Sequence, residues 1–126
     1  MSSIGTTSSQ TIVFSKGAIF PAPTAGTVPF AAWVAPFACT ILSVEAFQDV
    51  GTGSVVNVLD ETNTLLTSNI SISTAGAWQP GTLAQTTIAA GDTIYMQLVS
   101  VGGTPNFVTI QIDVSMVLTT TQMSVS

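Results

Sequence analysis

Residues 106–118 read Asn-Phe-Val-Thr-Ile-Gln-Ile-Asp-Val-Ser-Met-Val-Leu. Val108, Ile110, Ile112, Val114, Met116 and Leu118 fall on one side of an extended chain. Thr109, Gln111, Asp113 and Ser115 fall on the other. Side chains alternate with a period of two only in a strand, so this segment predicts a long strand with one buried face. The preceding stretch, Asp92 to Val101, repeats the pattern with Ile94, Met96 and Leu98 against Tyr95, Gln97 and Val99. Gly102-Gly103-Thr104-Pro105 between them reads as a hairpin connection.

Upstream the same signal recurs in shorter pieces. Strands are expected at Gln10 to Phe14, Thr27 to Val34, Cys39 to Gln48 and Thr82 to Ile88. Ser54 to Leu59 and Leu65 to Ile70 read as a hairpin around Asp60-Glu61-Thr62-Asn63. Ala89-Ala90-Gly91-Asp92 is a turn, and Pro29 suits an edge or bulged position. No segment carries a helical period, and the abundance of Thr, Val and Ile favours strand. The expectation is one all-β domain, an antiparallel β-sandwich or jelly roll of about eight strands. It spans 10–118, with a flexible Ser/Thr-rich N-terminal arm at 1–9 and a flexible C-terminal tail at 119–126.

A chain of 126 residues buries roughly two-thirds of its unfolded surface and needs no disulfide or metal to fold. One cysteine, Cys39, rules out an intrachain disulfide, and the absence of histidine rules out zinc sites built from several Cys and His. Charge is the outlying property. Charged residues make up 6% of the chain, against about 25% in ordinary soluble domains. Lys16 is the sole basic side chain. Nucleic acid is therefore not expected as a partner, because neutralising phosphates takes several Lys or Arg. An anionic membrane surface is excluded for the same reason. The apolar run from Gly17 to Val44 is broken by Pro21, Pro23, Pro29 and Pro36 and does not read as a spanning helix. No signal peptide is expected, since Met1 to Gln10 lacks a basic start and an apolar stretch. A soluble surface with so little charge is expected to be hidden against partners.

Catalytic chemistry finds few candidates. A Ser or Cys nucleophile lacks a histidine base, and Cys39 lies among apolar neighbours, where a thiolate is disfavoured. Glu45 and Asp113 are the carboxylates that a glycosidase reading would pair. No catalytic residue, cofactor or metal site is expected. Asp49, Asp60, Glu61 and Asp92 lie near turns, where Ca²⁺ can bind, but Asp at a turn more often bonds its own backbone. Trp33 reads as core. Trp78, Tyr95 and Phe107 are the candidate interface residues, on the enrichment of aromatics at interface centres.

The segment Trp33-Val34-Ala35-Pro36-Phe37-Ala38-Cys39-Thr40-Ile41 resembles the opening of a β-sandwich domain found in tailed-phage virion proteins. There an apolar strand leads into a Pro-containing turn, then a small residue, Thr and Ile. Val55-Val56-Asn57-Val58-Leu59 with Thr64-Leu65-Leu66 resembles the hairpin that follows. Ala89-Ala90-Gly91-Asp92, Val101-Gly102-Gly103 and Phe107-Val108-Thr109-Ile110 resemble its later turn, strand end and final strand. The chain departs from that pattern at Cys39 and at Asp60-Glu61-Thr62-Asn63, where glycine is common. Such domains occur in head decoration (cement) proteins, head fibres and tail fibres. The resemblance implies a homotrimer bound to the major capsid protein on the outer capsid surface. The alternative is a receptor- or carbohydrate-binding module of a phage head or tail fibre.

Overall fold

A computed structural model of the protein describes residues 4–26 and 31–124. The described elements are all strands: β1 (Ile4–Pro21), β2 (Ala31–Val34), β3 (Cys39–Gln48), β4 (Val55–Asp60), β5 (Asn63–Thr64), β6 (Ile70–Ser71), β7 (Gln79–Pro80), β8 (Thr87–Ile88), β9 (Thr93–Ser100) and β10 (Phe107–Ser124). Every pairing is antiparallel. One sheet runs β1-β10-β3-β7, with β8 also on β3; the other runs β2-β9-β4-β5, with β6 also on β4. The first strand lies beside the last, and the chain passes from sheet to sheet between β1, β2, β3 and β4. This order is that of a jelly roll, as expected, but β9 and β10 lie in opposite sheets, so Gly102-Gly103-Thr104-Pro105 crosses between the sheets and is not the expected hairpin connection.

The predicted alternation is what fills the space between the sheets. Val108, Ile110, Ile112 and Val114 of β10 face Val56 and Val58 of β4 and Ile94, Met96 and Leu98 of β9 within one buried cluster. Fully burying one such side chain contributes roughly 1.5–3 kcal/mol. In β3 the buried residues Ile41 and Val44 are three apart, which a regular strand forbids. A bulge resolves the conflict: the register jumps from Asp113↔Ser43 to Val114↔Ile41, and Leu42 is the extra residue, turned outward.

Two expected strands are interrupted. Leu65 and Leu66 are adjacent and both buried. A strand sends neighbours to opposite faces, so the chain must leave the sheet there. It pairs with β4 at Asn63–Thr64, departs, and returns at Ile70–Ser71. The segment expected as a strand over 82–88 does the same between β7 and β8. These two irregular stretches bond to each other: Thr67 N–H donates to Thr82 O (2.9 Å) and Ala84 N–H to Leu65 O (2.8 Å). They close one side of the sandwich. Pro29 lies outside the described residues, and β2 is an edge strand.

The terminal segments differ most from expectation. Residues 4–9 and 119–124 are not loose arms but strand, paired from Ile4↔Ser124 to Ser9↔Thr119. A polar Ser/Thr stretch suits a strand when the opposite strand satisfies its backbone. Residues 1–3 and 125–126 lie outside the described residues.

At the opposite end, a buried amide ties two loops together. Gln48 Nε2 donates to Gly102 O (2.7 Å) and Val50 O (3.0 Å), and its Oε1 accepts from Ser54 N–H (3.3 Å). Gly102 has no room for a side chain, since a Cβ there would lie 2.5 Å from the Gly53 carbonyl carbon. Replacing Gln48 with leucine keeps the volume but orphans these backbone groups. Gln48→Leu is expected to cost about 1–3 kcal/mol, read as a lower Tm in thermal unfolding.

Candidate functional site

The outer face of the first sheet carries an aromatic cluster. Phe47 on β3 projects outward because Ala46 and Gln48 project inward. Phe107 opens β10, two residues from Phe47's partner Thr109, which places the rings on a diagonal. They stack at 5.8 Å with 19° between planes. Trp78 approaches from the loop before β7, 5.3 Å from the Phe47 ring at 44°. The loop is held by Gln79 Oε1, which accepts from Ser73 Oγ (2.9 Å) and Ser73 N–H (3.3 Å), and by Gly76 N–H donating to Gln48 O (2.8 Å). Trp78 stays 43% exposed, enough to present an indole face to a partner.

Beside the cluster, Asp49 accepts from Asn106 N–H (2.9 Å), Asn106 Nδ2 (2.8 Å) and Phe107 N–H (3.2 Å). Desolvation works against ionisation, but the Asn106 side-chain bond and the backbone N–H groups outweigh it and hold the Asp49 carboxyl below its ordinary value. Thus Asp49 anchors the loop that carries Phe107.

Of the three predicted interface residues, Trp78 and Phe107 are brought together. Tyr95 is not: it lies on the outward side of β9 in the other sheet, opposite Ala32 and Leu59. Phe47 was missed by the sequence reading. Its signal was present, since the alternation that buries Val44, Ala46 and Gln48 turns an aromatic outward.

Glu45 and Asp113 share this outer face, with Glu45 opposite Gln111. They lie on an open sheet. Asp113 is also fully engaged: Ser15 Oγ (2.5 Å), Ser43 Oγ (3.0 Å) and Gln111 Nε2 (3.2 Å) donate to it. Those bonds, Ser15's first, hold its carboxyl below the ordinary value, the reverse of what a general acid needs. Cys39 is buried, its thiol donates to Phe37 O at 2.9 Å, and burial raises its pKa, which opposes nucleophilic use.

The turn carboxylates do not form one group. Asp49 lies at one end of the sandwich, whereas Asp60, Glu61 and Asp92 lie at the other. Among the described residues no cluster of ligating side chains is arranged to hold a metal ion. Asp60 is 4% exposed. Its Oδ2 accepts from Gln85 Nε2 at 2.8 Å, while its buried Oδ1 lacks a donor. Burial, then the neighbouring Asp92 carboxyl and the Glu61 charge, push Asp60 up to about 6 against the opposing Gln85 bond.

On the inward side of β1, Lys16 sits at the open side of the sandwich. Its Nζ lies 5.5 Å from the Trp33 ring centre and 5.9 Å from Phe14, while Phe14 and Trp33 meet edge to face at 5.7 Å. Trp33 is therefore an edge residue, only partly buried, and its ring serves the lone cation. No protein-family model matches this sequence, and no curated protein matches it.

Asp60 links stability to pH. The folded state keeps its proton up to about pH 6, whereas the unfolded chain releases it near 3.8. Between those values the folded state binds more protons, so its stability falls as pH rises through the window. Asp60→Asn keeps the acceptor for Gln85 and offers Asp92 a donor. It is expected to raise Tm at pH 8, by at most about 3 kcal/mol of stability, and to flatten the slope between pH 4 and 6 in pH-dependent thermal melts.

Proposed function

We propose that the protein is a non-enzymatic structural component of a virion, a homotrimeric decoration (cement) protein bound to the major capsid protein on the outer capsid surface. The observation that carries this reading is the surface. Val13, Ile19, Val34, Phe37 and Val117 are each more than half exposed, on a chain with one basic and six acidic residues. A surface so apolar and so poor in charge suits burial against partners better than free solution. The jelly roll is an architecture used by viral capsid and lectin domains, although a fold does not fix a function. The order of motifs from Trp33 to Ile110 resembles that of tailed-phage virion domains. Asp113, held below its ordinary value on an open sheet face, is not poised as a general acid beside Glu45, which favours a structural role.

In this reading symmetric copies bury apolar surface against one another. Each trimer then spans neighbouring capsid subunits, and binding to the closed shell stabilises it by mass action. Several contacts per trimer add up as avidity. Attachment depends little on salt, because screening acts mainly on exposed charge.

A second reading is favoured by one observation, the exposed Trp78 face beside Phe47 and Phe107. It makes the protein a carbohydrate- or receptor-binding module of a phage head or tail fibre, with the indole stacking on an apolar sugar face. The two readings separate by experiment. For a decoration protein, light scattering returns about three times the chain mass of 12.9 kDa. The protein then binds capsids assembled without it, equally at low and at molar salt. Monomeric mass with no capsid binding sinks this reading. For the sugar-binding reading, a glycan array shows a hit that Trp78→Ala weakens tenfold or more.

A further inference from the structure

The pairing of β1 with β10 runs unbroken from Ile4↔Ser124 to Pro21↔Phe107, but β3 accompanies β10 only from Val108 to Ser115. Beyond Ser115 the two terminal strands continue alone, Met116 to Ser124 against Ile4 to Ile12. At 3.3–3.4 Å per residue this ribbon reaches about 30 Å past the sheet. A two-stranded ribbon in water is at best marginally stable on its own.

Its two faces differ. Leu118 and Met116 oppose Gln10 and Ile12 on the side that continues the core face of Val114 and Phe14. Leu118 is 37% exposed, and Ile12, Phe14 and Met116 are partly exposed. The opposite side mixes Val13 and Val117 with Ser9, Thr11, Ser115 and Thr119. Ile12, Met116 and Leu118, with Gln10 beside them, thus form a short apolar patch, a strip over which no strand of the second sheet pairs among the described residues.

We infer that this strip is covered by the same strip of other copies, so that the terminal ribbons are the element through which copies of this chain hold one another. Charge selects the occupant. Residues 4–14 and 114–124 contain no charged side chain, although the chain carries a net −5. Elsewhere identical copies repel one another; along the ribbon they do not. A charged partner would lose hydration against this strip without gaining an ion pair. Three ribbons, each turning its Ile12, Met116 and Leu118 patch inward, close a three-sided prism around that patch. The inference deepens the assembly reading above and rests on it, and it locates the interface in the termini rather than in the sandwich.

The test uses the full chain with three single substitutions. Met116→Asp puts three carboxylates at the axis of the prism. By light scattering it is expected to lower the mass threefold, to that of one chain, while circular dichroism and thermal melting show the sandwich retained. Leu118→Cys is expected to give disulfide-linked chains under mild oxidation. Ile19→Cys, at the far end of β1, should not. Cys39 is 6% exposed, so the wild-type chain supplies the uncrosslinked baseline. Should Met116→Asp fail to fold, the crosslinking pair still decides. An oligomer whose mass Met116→Asp leaves unchanged, with no crosslink at Leu118, overturns the ribbon interface and leaves the assembly reading standing. A wild-type chain monomeric at every concentration overturns both.

Discussion

The structure depends on the antiparallel ladder between its first and last strands. That ladder spans 18 residues on each side and joins parts of the chain far apart in sequence, from Pro21↔Phe107 to Ile4↔Ser124. Its inner half places β10 at the centre of the first sheet, between β1 and β3, where Val108, Ile110, Ile112 and Val114 floor the core. Without β1 the β10 strand would keep only β3 as a neighbour, and that side of the sandwich would open. Such pairing carries a large loop-closure cost before any contact rewards it. The chain meets that cost with uninterrupted register rather than with covalent links.

The remaining elements guard what the ladder leaves exposed. One side of the sandwich is shut by the 65–67 and 82–84 stretches, which exchange backbone bonds where the strands are too irregular to pair. The other side is bordered by β1 and β2. There Lys16 points inward under the Trp33 and Phe14 rings. An inward charge on an edge strand discourages a foreign strand from docking across it. It also gives the only basic side chain a place where its charge is stabilised by ring faces. At the loop end, the Gln48 amide and the Asp49 carboxylate fasten the turn after β3 to the turn that leads into β10. Rigid turns there set the positions of Phe107 and Trp78, so the aromatic cluster depends on polar groups that make no contact with its rings.

Much of this was legible from residue order. Period-two alternation placed β3, β4, β9 and the inner half of β10 within a residue or two, because burial of one sheet face is a local and repeated demand. The scarcity of charge and the lack of histidine narrowed the chemistry at once. The termini were misread because Ser and Thr satisfy both a solvated coil and a paired strand, and only a partner strand at the other end of the chain decides between them. Leu65-Leu66 carried its own warning, two adjacent apolar residues that a strand cannot both bury. Phe47 was passed over because an outward aromatic looks the same in sequence whether or not another ring lies beside it.

Alternation, turn residues and composition, all local, determined by themselves that this chain makes antiparallel strands, which face of each is buried, and that its surface is nearly uncharged. Tertiary structure alone decided which strands neighbour one another and that the two ends pair. It also brought Trp78 to Phe47 and Phe107 while leaving Tyr95 on the other sheet, and pressed Asp60 against Asp92. Those outcomes join residues far apart in the chain, such as Phe47 with Trp78, Asp60 with Asp92 and Ile4 with Ser124. They follow from long-range register and from the order of strands in the two sheets, which no local pattern encodes.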